Sequence, residues 1–172
     1  MIKVGILTIS DKGWQGERQD KSSEVIRDCF ASPEGSVVKY AVVPDEKDAI
    51  VAKLAGWADE GSVDVILTTG GTGLAERDVT PEATLAVVDK VVPGLAEAMR
   101  AQTFTITPMA ILSRAVAGVR GKCLIINLPG SPKAVRECLE VVRPVIPHAV
   151  EIIQGVVTEH EASHHEAEAN AD

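Results

Sequence analysis

The sequence is poor in aromatic residues and in cysteine. Phe, Trp and Tyr together make up 3% of its 172 residues, so the core must be built from Val, Ile, Leu and Ala. An aliphatic core of this kind favours buried parallel strands covered by helices. The three cysteines, Cys29, Cys123 and Cys138, are odd in number and far apart. This spacing excludes a disulfide framework or a zinc site and predicts buried free thiols.

Features typical of membrane, exported or nucleic-acid-binding proteins are missing as well. No apolar run approaches the ~18 residues of a membrane span, and Met1 leads directly into strand-like residues, so no signal peptide is expected. The net charge is -8, and no basic stripe stands out that would bind nucleic acid. We therefore expect neither a membrane nor a nucleic acid as partner. We also expect a cytoplasmic location, because a reducing compartment suits free thiols.

The length and the 45% of hydrophobic residues suit a single domain of ordinary size. Residues 1–157 are expected to form this domain. Residues 158–172 contain five acidic side chains and neither Lys nor Arg, and they lack apolar periodicity, so we expect a disordered tail. The histidines of this tail could bind a metal weakly, but a solvated segment is the favoured interpretation.

Apolar periodicity predicts strands that alternate with helices along the chain. The predicted strands are residues 2–9, 37–43, 63–67, 113–119 and 122–128. The predicted helices are residues 20–31, 44–61, 81–90, 95–104 and 134–142, with at most a bent continuation of the last one toward Gln154. Only two residues separate the last two strands, which therefore form a hairpin with an antiparallel edge strand. This order predicts a single three-layer α/β domain, with a mostly parallel sheet flanked by helices.

The most informative stretch is TTGGTGLAERDVTPEAT, residues 68–84. It follows a predicted strand and ends in a helix start, with Thr80 as N-cap and Pro81 at the first helical position. Three glycines within four residues let the backbone take positive φ and approach a ligand, and the freed N–H groups suit an anion. A phosphate site with a magnesium-binding carboxylate is one interpretation. A tight turn between strand and helix is the alternative.

Several standard motifs are excluded. No Gly-Lys-Ser/Thr follows the glycines, and Glu76 stands where a dinucleotide-binding loop would need Gly or Ala. Four polar loops, residues 10–11, 44–45, 70–78 and 129–133, follow strand ends and can converge on one edge of the sheet. That edge would hold three aspartates but no histidine, no Cys–His pair and no Gly-x-Ser-x-Gly turn. An imidazole base and a thiol or serine nucleophile are therefore disfavoured.

Carboxylates and backbone amides suit phosphoryl or nucleotidyl transfer, which depends on positioning and on charge neutralisation. Two carboxylates can hold one Mg²⁺ while the phosphates of the substrate complete its shell. Asp45 and Asp78 are the candidates for this role. Each also has a structural alternative: Asp45 could be the N-cap of the helix that follows it, and Asp78 could bond loop N–H groups near Thr80.

Several motifs together resemble the MogA/MoaB family of molybdenum cofactor biosynthesis, which includes the G domains of gephyrin and of its plant counterpart. The glycine-rich stretch with RDVTPEA carries the strongest similarity, and the other motifs occur in family order up to about Gly155. These other motifs are Ser10-Asp11, Leu112-Ser113-Arg114, Gly118-Val119-Arg120-Gly121-Lys122 and Asn127-Leu128-Pro129-Gly130-Ser131-Pro132.

The resemblance implies molybdopterin adenylyltransfer. In that reaction the terminal phosphate of molybdopterin attacks the α-phosphorus of ATP in the presence of Mg²⁺ and yields adenylyl-molybdopterin and pyrophosphate. It also implies a homotrimer and a downstream molybdenum-insertion protein as partner. The alternative is a non-catalytic protein of the same fold that binds molybdopterin or a nucleotide, or acts as a scaffold.

The resemblance also implies roles for individual residues. Asp45 and Asp78 carry over as the catalytic carboxylates and as the Mg²⁺ ligands. The nucleotide-binding residues are Gly70, Gly71, Thr72, Gly73, Pro129, Gly130 and Ser131. The pterin-binding residues are Ser10, Asp11 and Asp20.

Overall fold

The computed structural model describes residues 1–31, 33 and 35–156, and within them a six-stranded sheet is flanked by seven helices. The strands are β1 Ile2–Ile9, β2 Gly35–Val43, β3 Val65–Thr69, β4 Lys90–Val91, β5 Ala117–Arg120 and β6 Cys123–Leu128. The helices are α1 Asp11–Trp14, α2 Lys21–Cys29, α3 Lys47–Asp59, α4 Thr80–Val87, α5 Pro93–Phe104, α6 Pro132–Val142 and α7 Ile146–Gln154. Short 3₁₀ helices span Pro108–Leu112 and Arg143–Val145. The predicted tail and the domain boundary at 157 lie outside the described residues.

The sheet has the strand order β2-β1-β3-β6-β5-β4. The pairs β1–β2, β1–β3 and β3–β6 are parallel, whereas β5 runs antiparallel to β6. This arrangement confirms the mostly parallel sheet and the antiparallel hairpin. The first arm of the hairpin, predicted as residues 113–119, is β5 at Ala117–Arg120, and it is not the edge strand. The structure adds β4 outside β5, because α4 ends at Val87 and Val88 turns to an extended conformation. The predicted helix 81–90 was therefore too long.

Two aliphatic layers cover the two faces of the sheet. Neighbouring residues of a strand point to opposite faces, so Leu67 packs with α2, α5, α6 and α7, while Ile66 packs with α3 and α4. On β6, Ile126 and Ile125 divide between the two faces in the same way. All four side chains are fully buried. The domain therefore has the predicted three layers, and its core is aliphatic as the composition indicates.

Two local predictions need correction. The stretch after β1 was predicted as a loop, but Asp11–Trp14 forms a one-turn helix because the Ser10 hydroxyl accepts a hydrogen bond from Gly13 N at 3.1 Å. The third strand lies two residues later than predicted, at Val65–Thr69, because Thr68 and Thr69 still pair with β6. Both threonines therefore belong to the sheet and not to the loop that follows it.

The three cysteines are free thiols, as predicted. Cys123 and Cys138 are buried, whereas Cys29 is only half-buried and departs from the prediction in that respect. Burial raises the pKa of Cys123 to about 12 and that of Cys138 to about 11. Both thiols are therefore protonated at neutral pH and behave as small apolar side chains. In the part of the chain that is described, no helix has the length and apolarity to cross a bilayer.

The strand order places a crevice between β1 and β3. The chain leaves β1 for β2 on one side of it and returns from β2 to β3 on its other side. Connections that diverge in this way leave a gap outside the carboxyl ends of the two strands, where open α/β sheets bind their ligands. The loops that follow β1 and β3 begin at Ser10 and Gly70.

Candidate active site

A polar cleft of about 520 Å³ opens at this crevice, at the carboxyl ends of β1, β3 and β6. Seven of the twelve predicted site residues line it, namely Ser10, Asp20, Asp45, Gly70, Gly71, Gly130 and Ser131. The other five do not line it, namely Asp11, Thr72, Gly73, Asp78 and Pro129. The structure thus brings together residues from four loops that are up to 121 positions apart in the sequence.

The turn at Gly70 and Gly71 requires glycine. Their φ angles are 99° and 66°, in the left-handed region that L side chains rarely adopt. A Cβ on Gly70 would overlap the carbonyl oxygen of Ile9, and one on Gly71 would overlap the Thr80 hydroxyl and lie 3.4 Å from Asp45 Oδ1. The turn therefore brings bare backbone against the wall of the cleft next to a carboxylate.

Thr80 closes this turn and does not cap α4. Its hydroxyl donates to the Gly70 carbonyl at 2.9 Å, and its N–H donates to the Gly71 carbonyl at 3.1 Å. The N-cap is Val79, which makes no side-chain hydrogen bond to the helix. The predicted N-cap was thus one residue late, since the fully buried Thr80 side chain is turned toward the glycines.

Replacing Gly70 by alanine is expected to destabilise the fold by about 1–3 kcal/mol, because the new Cβ strains the backbone and meets Ile9. The free energy of unfolding, measured with urea, checks this expectation. Gly56→Ala is the matched control, since Gly56 lies within α3 with open space around it. The control should be neutral or stabilising by up to ~1 kcal/mol. Equal stability of both variants would contradict the strain argument.

Asp45 lies in the cleft wall at the end of β2 and is locked to Asp11. Its Oδ2 accepts from Asp11 N at 2.8 Å, and its own N–H donates to Asp11 Oδ1 at 3.0 Å. The alternative role as helix cap is wrong, because the N-cap of α3 is Glu46. Burial raises the pKa of Asp45, and the negative charges of Asp11 and Asp78 raise it further, against the lowering effects of the Asp11 N–H and Arg77.

Asp11 connects this wall to the loop after β3. Arg77 donates to both of its carboxylate oxygens, with Nε at 2.6 Å and Nη2 at 2.8 Å. The hydrogen bonds from the Arg77 guanidinium, and then the one from Asp45 N, hold the pKa of Asp11 below its ordinary value. Both oxygens are thus engaged within the protein, and Asp11 supports Asp45 from behind the cleft wall.

Asp78 lies on the same loop, half-buried beneath Gly73. Its Oδ2 accepts from Ala75 N at 2.9 Å and would lie 2.8 Å from a Cβ at Gly73. The carboxylate therefore bonds an N–H of its own loop, but not one near Thr80 as the structural alternative predicted. Asp78 does not line the cleft, yet its charge raises the pKa of Asp45. The two negative charges thus repel each other.

Asp20 also lines the cleft and caps α2. Its Oδ1 accepts from Ser23 N at 3.0 Å, and its Oδ2 accepts from the hydroxyls of Thr8 at 2.5 Å and Tyr40 at 2.9 Å. Burial acts to raise the pKa of this carboxyl, but these hydrogen bonds outweigh it and hold the pKa below its ordinary value. Asp20 is therefore ionised at neutral pH.

Several lining residues were not predicted from the sequence. Arg18 and Lys21 flank Asp20 and add two positive charges to the cleft. Ser22 joins α2 to the last loop by donating to the Gly130 carbonyl at 2.7 Å, and Thr69 does the same for β3 by donating to the Pro129 carbonyl at 2.7 Å. The polar run around Asp20 was the available signal, but it does not show which side chains face the cleft.

A buried polar network fixes the floor beneath the glycine loop. The Asn127 amide donates to the hydroxyls of Thr68 and Thr84 at 3.0 and 2.9 Å, and its oxygen accepts from Val116 N at 3.2 Å. Asn127, Thr68 and Thr84 are fully buried. Because every donor of the amide is satisfied, the network ties β3, β6 and α4 to one another.

Mg²⁺ suits the chemistry of this donor set. Asp45 offers a hard oxygen ligand in the cleft beside the Gly70–Gly71 turn, and Asp78 offers a second one next to Gly73. Mg²⁺ is commonly held by one or two carboxylates together with substrate phosphates. A cation would also relieve the repulsion that raises the pKa of Asp45. Within residues 1–31, 33 and 35–156, no three His, Cys, Asp or Glu side chains cluster to enclose a metal on their own.

An open α/β sheet with a glycine turn and carboxylates at its switch point defines a class of proteins that bind phosphorylated small molecules. Residues 5–148 match the model of a family described as a probable molybdopterin binding domain. The chain therefore belongs to the MogA/MoaB family of molybdopterin-binding domains, as its motifs indicate.

Individual relatives agree with this assignment. The chain is 46% identical over 156 residues to the molybdopterin adenylyltransferase of Helicobacter pylori strain J99, which covers 90% of this chain and 89% of that protein. It is 37% identical over 172 residues to the molybdopterin adenylyltransferase of Escherichia coli K12, with 92% and 88% covered. The solved structure of the molybdopterin biosynthesis enzyme MoaB of Thermus thermophilus is 57% identical, with a TM-score of 0.85 over 90% of this chain and 98% of that chain.

Proposed function

We propose that this chain is a molybdopterin adenylyltransferase of molybdenum cofactor biosynthesis, which uses ATP and Mg²⁺. The observation that carries the proposal is the Asp45 carboxylate, which faces the Gly70–Gly71 turn inside the cleft. A phosphate chain bound at the turn would lie against bare glycine backbone and next to a carboxylate that can hold its counter-ion. The relatives bearing the name of this activity match the chain over most of its length.

The two substrates are assigned to opposite halves of the cleft. The ATP phosphates would lie along the glycine turn, with the nucleoside toward Gly130 and Ser131, whose hydroxyl accepts from Ala134 N at 3.2 Å as the N-cap of α6. Molybdopterin would lie toward Ser10 and Asp20. Arg18 and Lys21 line that half and would attract its phosphate.

The reaction requires charge neutralisation and alignment more than proton transfer. An oxygen of the molybdopterin phosphate attacks the α-phosphorus of ATP, and the bond from that phosphorus to the oxygen of the leaving pyrophosphate breaks. A phosphate nucleophile is already ionised at neutral pH, so the cleft needs no general base, and its described lining contains no histidine. Mg²⁺ held by Asp45 and Asp78 would neutralise the charge that develops on the phosphates.

The alternative is a protein that binds these ligands without turnover. The raised pKa of Asp45 speaks against it, because a carboxylate that is desolvated and repelled by its neighbours opposes folding. A pure scaffold would have no need to keep such a charge in its cleft. An enzyme does need it, since the charge becomes favourable once a cation and phosphates are bound.

Release of pyrophosphate from ATP in the presence of molybdopterin tests the proposal. We expect release that requires both molybdopterin and Mg²⁺, together with adenylyl-molybdopterin detected by its mass. Omission of molybdopterin and chelation of the metal are the controls. Binding of molybdopterin without any pyrophosphate release would support the non-catalytic alternative and contradict the proposal.

We also propose a homotrimer, which the family resemblance implies. The structure supports an oligomer because large apolar side chains are exposed around the end of α5 and the 3₁₀ helix that follows it. These side chains are Phe104, Ile106, Met109, Ile111 and Leu112. Light scattering is expected to give about 55 kDa for a trimer of the 18.2 kDa chain. A monomer at micromolar concentration would contradict the trimer.

The cytoplasmic location and a downstream molybdenum-insertion partner stay predictions.

A further inference from the structure

Arg114 lies outside the cleft, just before β5, and holds both ends of the loop of residues 73–78. Its Nε donates to the Gly73 carbonyl at 2.7 Å, and its Nη2 donates to the Asp78 carbonyl at 2.5 Å. Its backbone N–H donates to the Thr72 carbonyl at 2.9 Å. The remaining nitrogen, Nη1, forms an ion pair with Glu82 of α4. One side chain thus ties the start and the end of the loop to the body of the domain.

The loop of residues 73–78 needs such a support because it has little packing of its own. Its four central residues, 74–77, are exposed. Within the loop, Asp78 N donates to the Ala75 carbonyl at 2.9 Å, and Ala75 N donates to Asp78 Oδ2 at 2.9 Å. These two bonds shape the loop internally. The Arg77–Asp11 pair ties the exposed middle of the loop to the wall that carries Asp45, whereas Arg114 ties its two ends, and with them Asp78.

We propose that Arg114 is a positioning residue for adenylyl transfer: it sets the place of the Asp78 carboxylate relative to Asp45. The inference rests on the proposed function. Only a planar guanidinium has enough N–H donors in a fixed fork to reach two carbonyls and a carboxylate together. The ammonium of a lysine is a compact point charge without this fork, so we expect that it would not reproduce the three contacts together.

If Arg114 had only a structural role, it would stabilise the fold through its ion pair with Glu82. The Arg114 side chain is 35% exposed and that of Glu82 is 44% exposed, and ion pairs at such positions contribute little to stability. Glu82→Gln removes this charge pair and leaves both carbonyl contacts of the guanidinium in place. It is therefore the matched control for changes at Arg114.

The first test compares the steady-state kinetics of Arg114→Gln, Arg114→Lys and Glu82→Gln. Both Arg114 variants are expected to lose about tenfold or more in kcat, since small displacements of a catalytic group are costly. The KM for ATP should change by less than about threefold, because ground-state binding is left in place. Glu82→Gln should retain the kcat of the unchanged protein. The proposal is overturned if Glu82→Gln loses as much kcat as Arg114→Gln, or if the Arg114 variants keep full kcat.

A double-mutant cycle with Asp78→Asn separates positioning from general destabilisation. If Arg114 acts through Asp78, adding Arg114→Gln to Asp78→Asn should lower kcat little further. Multiplied losses would overturn the proposal.

Amide hydrogen exchange of residues 72–79 gives a readout that is independent of activity, and it should be faster in Arg114→Gln but unchanged in Glu82→Gln. If amide exchange in Arg114→Gln equals that of the original protein, the positioning proposal is overturned. If the original protein shows no adenylyl transfer at all, the proposed function is refuted, but the exchange measurement still tells whether Arg114 holds the loop.

Discussion

Replacing Asp78 by asparagine is expected to lower turnover by about 100-fold or more, because one preorganised electrostatic group is lost from the transition state. The asparagine oxygen can still accept from Ala75 N, so the hydrogen bond of 2.9 Å that shapes the loop is preserved. The substitution thus removes the charge and little else. We therefore expect an unchanged melting temperature and unchanged molybdopterin binding.

Asp78→Ala is the companion variant, because it removes the charge and the hydrogen bond together. It should show the same loss of turnover and, in addition, a loss of about 1 kcal/mol in stability. Melting temperature, molybdopterin binding and pyrophosphate release would be measured on both variants. Near-normal turnover in Asp78→Asn, with a destabilised Asp78→Ala, would show that Asp78 only shapes its loop and has no role in the chemistry.

The parts of this site that could be predicted from the sequence depend on local rules. Gly70 and Gly71 stand at a strand end, where positive φ is needed, and the structure shows positive φ at both. The central strands could be predicted because buried runs such as Leu124–Ile126 are continuously apolar, whereas the exposed two-residue strand β4 could not. The convergence of four loops followed from a general property of parallel sheets, whose carboxyl ends share one edge.

The parts that could not be predicted are contacts between residues that are far apart in the chain. The hydrogen bond between Asp11 N and Asp45 spans 34 positions, the pair of Arg77 and Asp11 spans 66, and the contact of Arg114 with Gly73 spans 41. Spacing in one sequence carries no signal for such pairs, because they depend on how the loops are placed in three dimensions.

The same limit explains the misplaced N-cap of α4. Threonine before proline is a good local signal for a helix start, and Thr80 satisfies it. In the fold, however, the Thr80 side chain is turned toward the glycine turn, where its hydroxyl donates to the Gly70 carbonyl at 2.9 Å, and the N-cap is Val79. Tertiary contacts at the glycine turn thus override the local preference, at the place where the chain is shaped for a ligand.

Asp45→Asn is expected to lower transfer by about 100-fold or more and, at neutral pH, to raise the melting temperature. The asparagine oxygen can keep the hydrogen bond from Asp11 N, so only the charge is lost. Burial and the neighbouring charges of Asp11 and Asp78 raise the pKa of Asp45, which means that ionisation of this group opposes folding. Removing the charge therefore stabilises the fold while it removes the proposed Mg²⁺ ligand, with a loss of about 100-fold or more in turnover.

The pH dependence of this gain has a definite sign. Because the folded pKa of Asp45 lies above the ordinary value of 3.8, the cost of its charge sets in as the pH rises through 3.8 and is complete above the folded pKa. The melting temperature of Asp45→Asn relative to the unchanged protein should thus be raised at pH 7, and this gain should shrink as the pH falls toward 4. Thermal unfolding between pH 4 and 8 measures it.

Asp20→Asn is the control with the opposite sign. Hydrogen bonds hold the pKa of Asp20 below its ordinary value, so its charge stabilises the fold above pH 3.8, and this contribution is lost as the pH falls through the folded pKa. Asp20→Asn should therefore melt lower than the unchanged protein at pH 7. Destabilisation by Asp45→Asn across the same pH range would show that the Asp45 carboxylate is kept for the fold, and the case for its catalytic role would then rest on activity alone. If the melting temperature instead rises in Asp45→Asn and falls in Asp20→Asn, the two carboxylates of the cleft differ in their partners. Hydrogen bonds within the protein then stabilise the charge of Asp20, whereas the charge of Asp45 lacks the positive partner that a bound cation would supply.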